Sequence, residues 1–169
     1  MKWPLGYHRL CRVFRKPRYL WLDLGDPGVF VDPAGPLERW QDHGLGLLCT
    51  ILARSGISLR VASTRNIRDL RELFADFSAA DGLLMNVRSA FFPLARAAAA
   101  LYKQARPDGW VIAGGIHAVL AAPEFEALPV FDRICTGPGE GILVDLLRDP
   151  AAFPRRVAGV GAASMDDWP

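Results

Sequence analysis

The chain has 169 residues, of which 51% are hydrophobic and 22% charged, with a net charge of +2. That balance suits one globular domain with its own core and excludes a disordered or fibrous chain. No apolar run approaches the ~20 residues of a membrane span, and the near-neutral total gives no electrostatic footprint for nucleic acid.

Charge is unevenly placed. Residues 1–18 hold Lys2, Arg9, Arg12, Arg15, Lys16 and Arg18 and no acid. They read as a basic extension: plain surface, a docking segment or a targeting remnant. They lack the apolar centre of a secretory signal. Cys11, Cys49 and Cys135 are odd in number and far apart, so they form neither a disulfide framework nor a zinc pattern. They read as small packing residues in a reducing, cytoplasmic setting.

In chain order, "YLWLDL" at 19–24 is a short apolar strand. Residues 25–44 form a long loop rich in Pro, Gly and Asp, a length that usually has a function. Residues 45–56 have helical spacing and stop at Gly56. Residues 57–62 alternate as a strand. Residues 66–77 predict an amphipathic helix, with Ile67, Leu70, Leu73, Phe74 and Phe77 on one face. "DGLLMNV" at 81–87 is a buried strand. Residues 93–106 predict a helix with Pro93 in its first turn and an alanine run as a close-packing face. A strand at 109–113 is followed by a helix at 118–128 that Pro123 interrupts or restarts. A fifth strand, 132–136, leads to a last helix at 139–149. The Pro-rich remainder, 150–169, reads as a strap or linker in which "RVAGVG" is a candidate for one more short strand.

This β-α alternation predicts an α/β fold: a doubly wound, Rossmann-like parallel sheet of five strands with helices on both faces. The expected order is the flavodoxin-like 2-1-3-4-5. Domain limits follow as 1–18 for the extension, 19–149 for the sheet domain and 150–169 for the tail. In such sheets ligands bind beyond the carboxyl ends of the strands, at the switch point between strands one and three.

The loops at that edge are lean. "NVRSAFF" follows strand three and carries Asn86, Arg88, Ser89 and Ala90. Gly114 and Gly115 follow strand four, with His117 just beyond. "TGPGEG" follows strand five and carries Gly137, Gly139, Glu140 and Gly141. Missing side chains let a bulky ligand reach the backbone, and helix N-termini there offer free N–H groups; tight turns alone would explain them equally. No GxGxxG follows the first strand and no GxxxxGK[ST] occurs, so the dinucleotide and P-loop readings fail on spacing. His117 is read as a turn histidine bonded to backbone, or else as a general base or ligand. Glu140 is read as a helix-dipole and cap residue, or as a partner of His117 in a small enzyme.

Residues 81–147, with Ser89, the run Gly114-Gly115-Ile116-His117-Ala118, Pro123-Glu124, Asp132 and Gly137-Pro138-Gly139-Glu140, resemble the N-terminal cobalamin-binding domain of cobalamin-dependent radical S-adenosylmethionine enzymes. "HGLGLLCTILARSGISLRVA" and the terminal "SMDDWP" are similar to flanking segments of that family, so the likeness extends over about 19–169. The resemblance implies a corrin ring over the carboxyl ends of the strands. It implies a nucleotide tail threading down beside Ser89 and Gly114-Gly115, flanked by Gly137–Glu140. The cofactor-binding residues it implies are Asn86, Arg88, Ser89, Ala90, Gly114, Gly115, His117, Gly137, Gly139 and Glu140.

Two departures qualify the implied role. The DxHxxG motif that supplies a histidine to cobalt is absent: "DLGDPG" gives Asp23 and Asp26 only. A base-off, His-off cobalamin is therefore expected, with His117 framing the cofactor. CxxxCxxC, which would hold an iron–sulfur cluster, is absent as well, so no cluster belongs to this chain. The expectation is a cobalamin-binding fragment or subunit of a methyltransferase-type system, catalytic only with a separate radical S-adenosylmethionine domain or protein. The alternative is a degenerate, cofactor-free sheet domain serving as scaffold or partner-recognition subunit.

Overall fold

A stretch of six residues buried from end to end, Tyr19–Leu24, forms the first strand, β1. Burial on both sides is the mark of a strand inside a parallel sheet with two covered faces. The computed structural model that shows this describes residues 19–24, 43–64 and 66–161. The basic extension 1–18, most of the long loop 25–44 (Asp26 included) and the terminal "SMDDWP" lie outside the described residues.

The other elements follow in alternation. They are α1 (His43–Arg54), β2 (Leu59–Thr64), α2 (Ile67–Leu70), α3 (Phe74–Ala79), β3 (Gly82–Asn86), α4 (Phe92–Ala105), β4 (Trp110–Gly114), α5 (Ile116–Glu126), β5 (Arg133–Thr136), α6 (Leu143–Arg148) and β6 (Arg156–Ala158). The sheet is wholly parallel, in the order β2-β1-β3-β4-β5-β6.

The first five strands therefore stand in the expected order, but the sheet has six strands rather than five. The sixth comes from the segment read as tail. Its backbone joins β5 through Ile134 N–H, which donates to Arg155 O at 2.8 Å, and Thr136 Oγ1 donates to Val157 O at 3.3 Å. Only Val157 of its three residues is buried, so the strand has almost no hydrophobic signature.

Other differences are local. The helix expected over 66–77 is broken: Asn66 caps α2 by accepting from the N–H groups of Arg68 and Asp69, and a 3-10 turn at Arg71–Leu73 separates α2 from α3. The helix after β4 starts at Ile116, two residues early, and kinks at Ala121 ahead of Pro123, where the proline ring crowds the preceding turn. The last helix begins only at Leu143, because Gly139–Ile142 is a turn.

Two cores result, one on each face. Leu20, Leu22, Leu24, Leu83, Met85, Val111, Ala113 and Ile134 pack with Leu70, Phe77, Ala98, Ala99, Tyr102 and Phe125 beneath α2–α5. Tyr19, Trp21, Leu84, Ile112, Cys135 and Val157 pack with Cys49, Leu52, Leu143, Leu146 and Leu147 beneath α1 and α6. The buried Ala95, Ala98 and Ala99 of α4 fulfil the close-packing role expected of the alanine run. Buried hydroxyls are satisfied: Tyr19 donates to Leu147 O at 2.6 Å and Tyr102 to Ala80 O at 3.0 Å. Asp132 fastens the start of β4, accepting from Val111 N–H at 2.7 Å with Lys103 Nζ 2.8 Å away.

Candidate functional site at the carboxyl edge of the sheet

Parallel pairing fixes which side chains share a row. Asp23 pairs with Ser63 on one side and Asn86 on the other, and Asn86 pairs with Gly114. Strand alternation turns all four toward the α1/α6 face. One row further in, the same face carries Val61, Trp21, Leu84 and Ile112. At the carboxyl edge the row thus changes from bulky and apolar to Ser, Asp, Asn and Gly. Asp23 is nearly buried, at 7% exposure. A polar row at the carboxyl ends of β1 and β3, where they adjoin, lies where a parallel sheet receives a ligand.

The two glycines after β4 differ sharply. Gly115 has φ +91°, and a Cβ there would run into Asn86 Oδ1 and lie 2.7 Å from Val87 N and 2.9 Å from Val87 O. The β3 and β4 loops are stitched at this point: Val87 N–H donates to Gly114 O at 2.8 Å, and His117 N–H to Val87 O at 3.0 Å. The chain itself therefore demands glycine at 115. At Gly114 an added Cβ would meet Cys135 Cβ at 3.5 Å, an ordinary contact. Among the described residues, no contact closer than that requires glycine there.

The loop after β5 also has an internal lining. A Cβ on Gly137 would come within 3.1 Å of Gly159 Cα, and one on Gly141 within 2.9 Å of Gly161 O. Gly141 N–H donates to Val160 O at 2.8 Å. Residues 159–161, beyond β6, run against this loop and account for two of its glycines. Gly139 faces Leu48 of α1 at 3.4 Å.

His117 belongs to the other face. It is 7% exposed, and its ring packs on Phe92 at 4.6 Å and Phe125 at 5.3 Å, with Phe131 completing the aromatic cluster. Its Nδ1 is 3.1 Å from Ser89 Oγ and its Nε2 is 3.7 Å from Glu124 Oε2. It lies in the first turn of α5, its N–H donates to Val87 O, and its ring meets Ser89.

The structure thus brings Asn86, Ser89, Gly114, Gly115 and His117 to one corner. Gly137, Gly139 and Glu140 form a second corner, one strand over. Arg88 and Ala90 are exposed at the entrance of α4. Among the described residues, three buried polar atoms have no hydrogen-bond partner: Trp21 Nε1, His117 Nε2 and Glu140 Oε2. Each such atom is costly to bury. Sequence reasoning passed over Trp21 and Glu124 as site residues. Alternation puts Trp21 on the face of Asp23, and two helical turns separate Glu124 from His117; both spacings were visible.

Cys135, beside Gly114, is no reactive thiol: burial pushes its pKa up to about 11, so it stays protonated at neutral pH. Among the described residues there is no group of three or more His, Cys, Asp or Glu side chains placed to hold a metal ion, and no helix long and apolar enough to cross a membrane.

Fold and edge together define a parallel α/β protein whose candidate ligand site lies at the carboxyl ends of its central strands. No family model matches the chain, and no curated protein matches it.

Proposed function

We propose that this chain is a Rossmann-like corrinoid-binding module that takes cobalamin, with the corrin over the carboxyl ends of β1, β3 and β4 and the nucleotide tail on the α1/α6 side of the sheet. One observation carries the reading. The row Asp23–Asn86–Gly114 turns polar and small where the rows beneath are bulky, and among the described residues a Cβ on Gly114 would meet only an ordinary contact with Cys135. The unpartnered Trp21 Nε1 on the same face, and Glu140 Oε2 ahead of α6, are compatible with a ligand rich in amides and hydroxyls. Asn86 would meet the tail, Gly114 would let it approach the backbone, and Gly139 and Glu140 would flank it, with Arg88 and Ala90 at the rim.

His117, in the first turn of α5, has its ring against Ser89, and the cofactor would be held base-off and His-off. When bound, cobalamin supplies the centre that carries a methyl group; this chain supplies binding and orientation. The sequence has no CxxxCxxC, so a radical S-adenosylmethionine domain or protein would complete the enzyme.

A second reading is favoured by the glycines that the chain itself explains. Gly115, Gly137 and Gly141 all face neighbouring backbone, as they would in a cofactor-free scaffold or partner-recognition subunit. Thermal melting separates the two. A ligand at a hundredfold excess over its Kd adds about 2.7 kcal/mol, so hydroxocobalamin should raise Tm by roughly 5–10 °C for a chain of this size. Cobinamide, which lacks the nucleotide tail, should give a much smaller rise. Gly114→Leu should erase the difference between them. An unchanged Tm with both corrinoids leaves the scaffold reading.

A further inference from the structure

We propose that Ser89 is an activated nucleophile, with His117 as its general base and Glu124 orienting His117, and that this trio cleaves esters of short apolar acyl chains. The site stands on the α4/α5 side of the same edge and does not depend on the corrinoid reading.

A serine hydroxyl attacks only if a base stands within hydrogen-bond reach, and the base works best when a third group fixes it. All three elements are present. Ser89 is exposed and opens the 3-10 turn Ser89–Phe91 that leads into α4, directly after the carboxyl end of β3. Its Oγ is 3.1 Å from His117 Nδ1. His117 is held by its amide bond to Val87 O and by ring contacts with Phe92 and Phe125. The carboxylate of Glu124, on the same helix, is 3.7 Å from Nε2, an atom with no hydrogen-bond partner among the described residues. A proton arriving at Nδ1 would create an imidazolium whose other nitrogen faces that carboxylate.

Two further features favour acyl transfer. Ser89 and Ala90 open the 3-10 turn ahead of α4, whose own bond is Phe91 N–H to Arg88 O, so their N–H groups can serve a developing oxyanion. The helix that carries His117, α5, exposes Ile116, Val119 and Leu120. These are spaced as one apolar stripe, which suits an uncharged, apolar acyl chain.

The step balances without a co-reactant other than water. Ser89 Oγ bonds to the ester carbonyl carbon while its proton passes to His117 Nδ1. The bond to the alcohol oxygen breaks, and that oxygen takes the proton from Nδ1. Water then attacks the acyl–Ser89 ester, gives a proton to His117 and releases the carboxylic acid, restoring the hydroxyl.

The test is labelling of the corrinoid-free protein by an alkyl fluorophosphonate, alongside hydrolysis of p-nitrophenyl acetate. The expected result is one label per chain, on Ser89 by peptide mass spectrometry, and none in Ser89→Ala. His117→Gln should slow labelling roughly a hundredfold. Glu124→Gln should slow it and shift its pH profile, with Glu124→Asp restoring both. Labelling confined to other serines, or an equal rate in wild type and Ser89→Ala, overturns the proposal. Should His117→Gln fail to melt cooperatively, the comparison with Ser89→Ala decides alone, because Ser89 is exposed and its truncation leaves the core intact.

Discussion

Gly115→Ala is expected to destabilise the protein by about 3 kcal/mol, although it adds a single methyl group. Two costs combine. The residue has φ +91°, where a Cβ is strained. That Cβ would also press on Asn86 Oδ1 and on the backbone of Val87, which is itself bonded to Gly114 O and His117 N–H. Backbone on both sides leaves little room to relax, so the β3 and β4 loops would have to part. Tm should fall by roughly 6–12 °C in a thermal melt. Gly114→Ala is the control. Its Cβ would make only an ordinary contact with Cys135, and its Tm should stay within about 2 °C of wild type. Equal losses at the two positions would contradict the account of why each is glycine.

Phe125→Ala should cost about 4 kcal/mol, within the usual range for a buried Phe. The ring is fully buried between Phe92 at 4.7 Å and Phe131 at 5.0 Å, and it backs His117. Its removal opens a cavity in the α4/α5 core. Urea denaturation should show a lower midpoint with an unchanged slope. Ser89 should also lose most of its reactivity toward fluorophosphonate, because His117 would no longer be held against it. A stability loss without that second effect would mean that Phe125 supports the core and not the histidine.

How far the sequence carried these conclusions depends on whether the cause was local. Strands β1, β3 and β4 were legible because each is a short apolar run bounded by turn residues, and the β-α alternation then limits the sheet to few topologies. β6 was nearly invisible: Arg156 and Ala158 are exposed and Val157 alone is buried, so neither alternation nor an apolar run marks it firmly. The break between α2 and α3 was hidden because the apolar period runs straight through it, and Ile67 and Phe74 prove exposed.

The site was legible as a place more than as a set of contacts. Parallel topology put the lean loops at one edge. What each glycine faces is a matter of third dimension: Gly115 meets a loop 28 residues back, and Gly137 meets a strap beyond β6. His117 was read as framing a cofactor. The structure adds that its ring meets Ser89 and the aromatic cluster, a pairing across 28 residues that no spacing rule encodes. The polar row Asp23–Asn86–Gly114 likewise appears only once register is known.

The corrinoid reading rests on that row, and binding is its most direct test. The full chain is mixed with hydroxocobalamin, separated from free ligand by gel filtration, and its visible spectrum recorded. The account predicts about one corrinoid per chain co-eluting with the protein, with a base-off spectrum unchanged by His117→Gln. Elution without corrinoid absorbance, from protein that melts cooperatively, would contradict it.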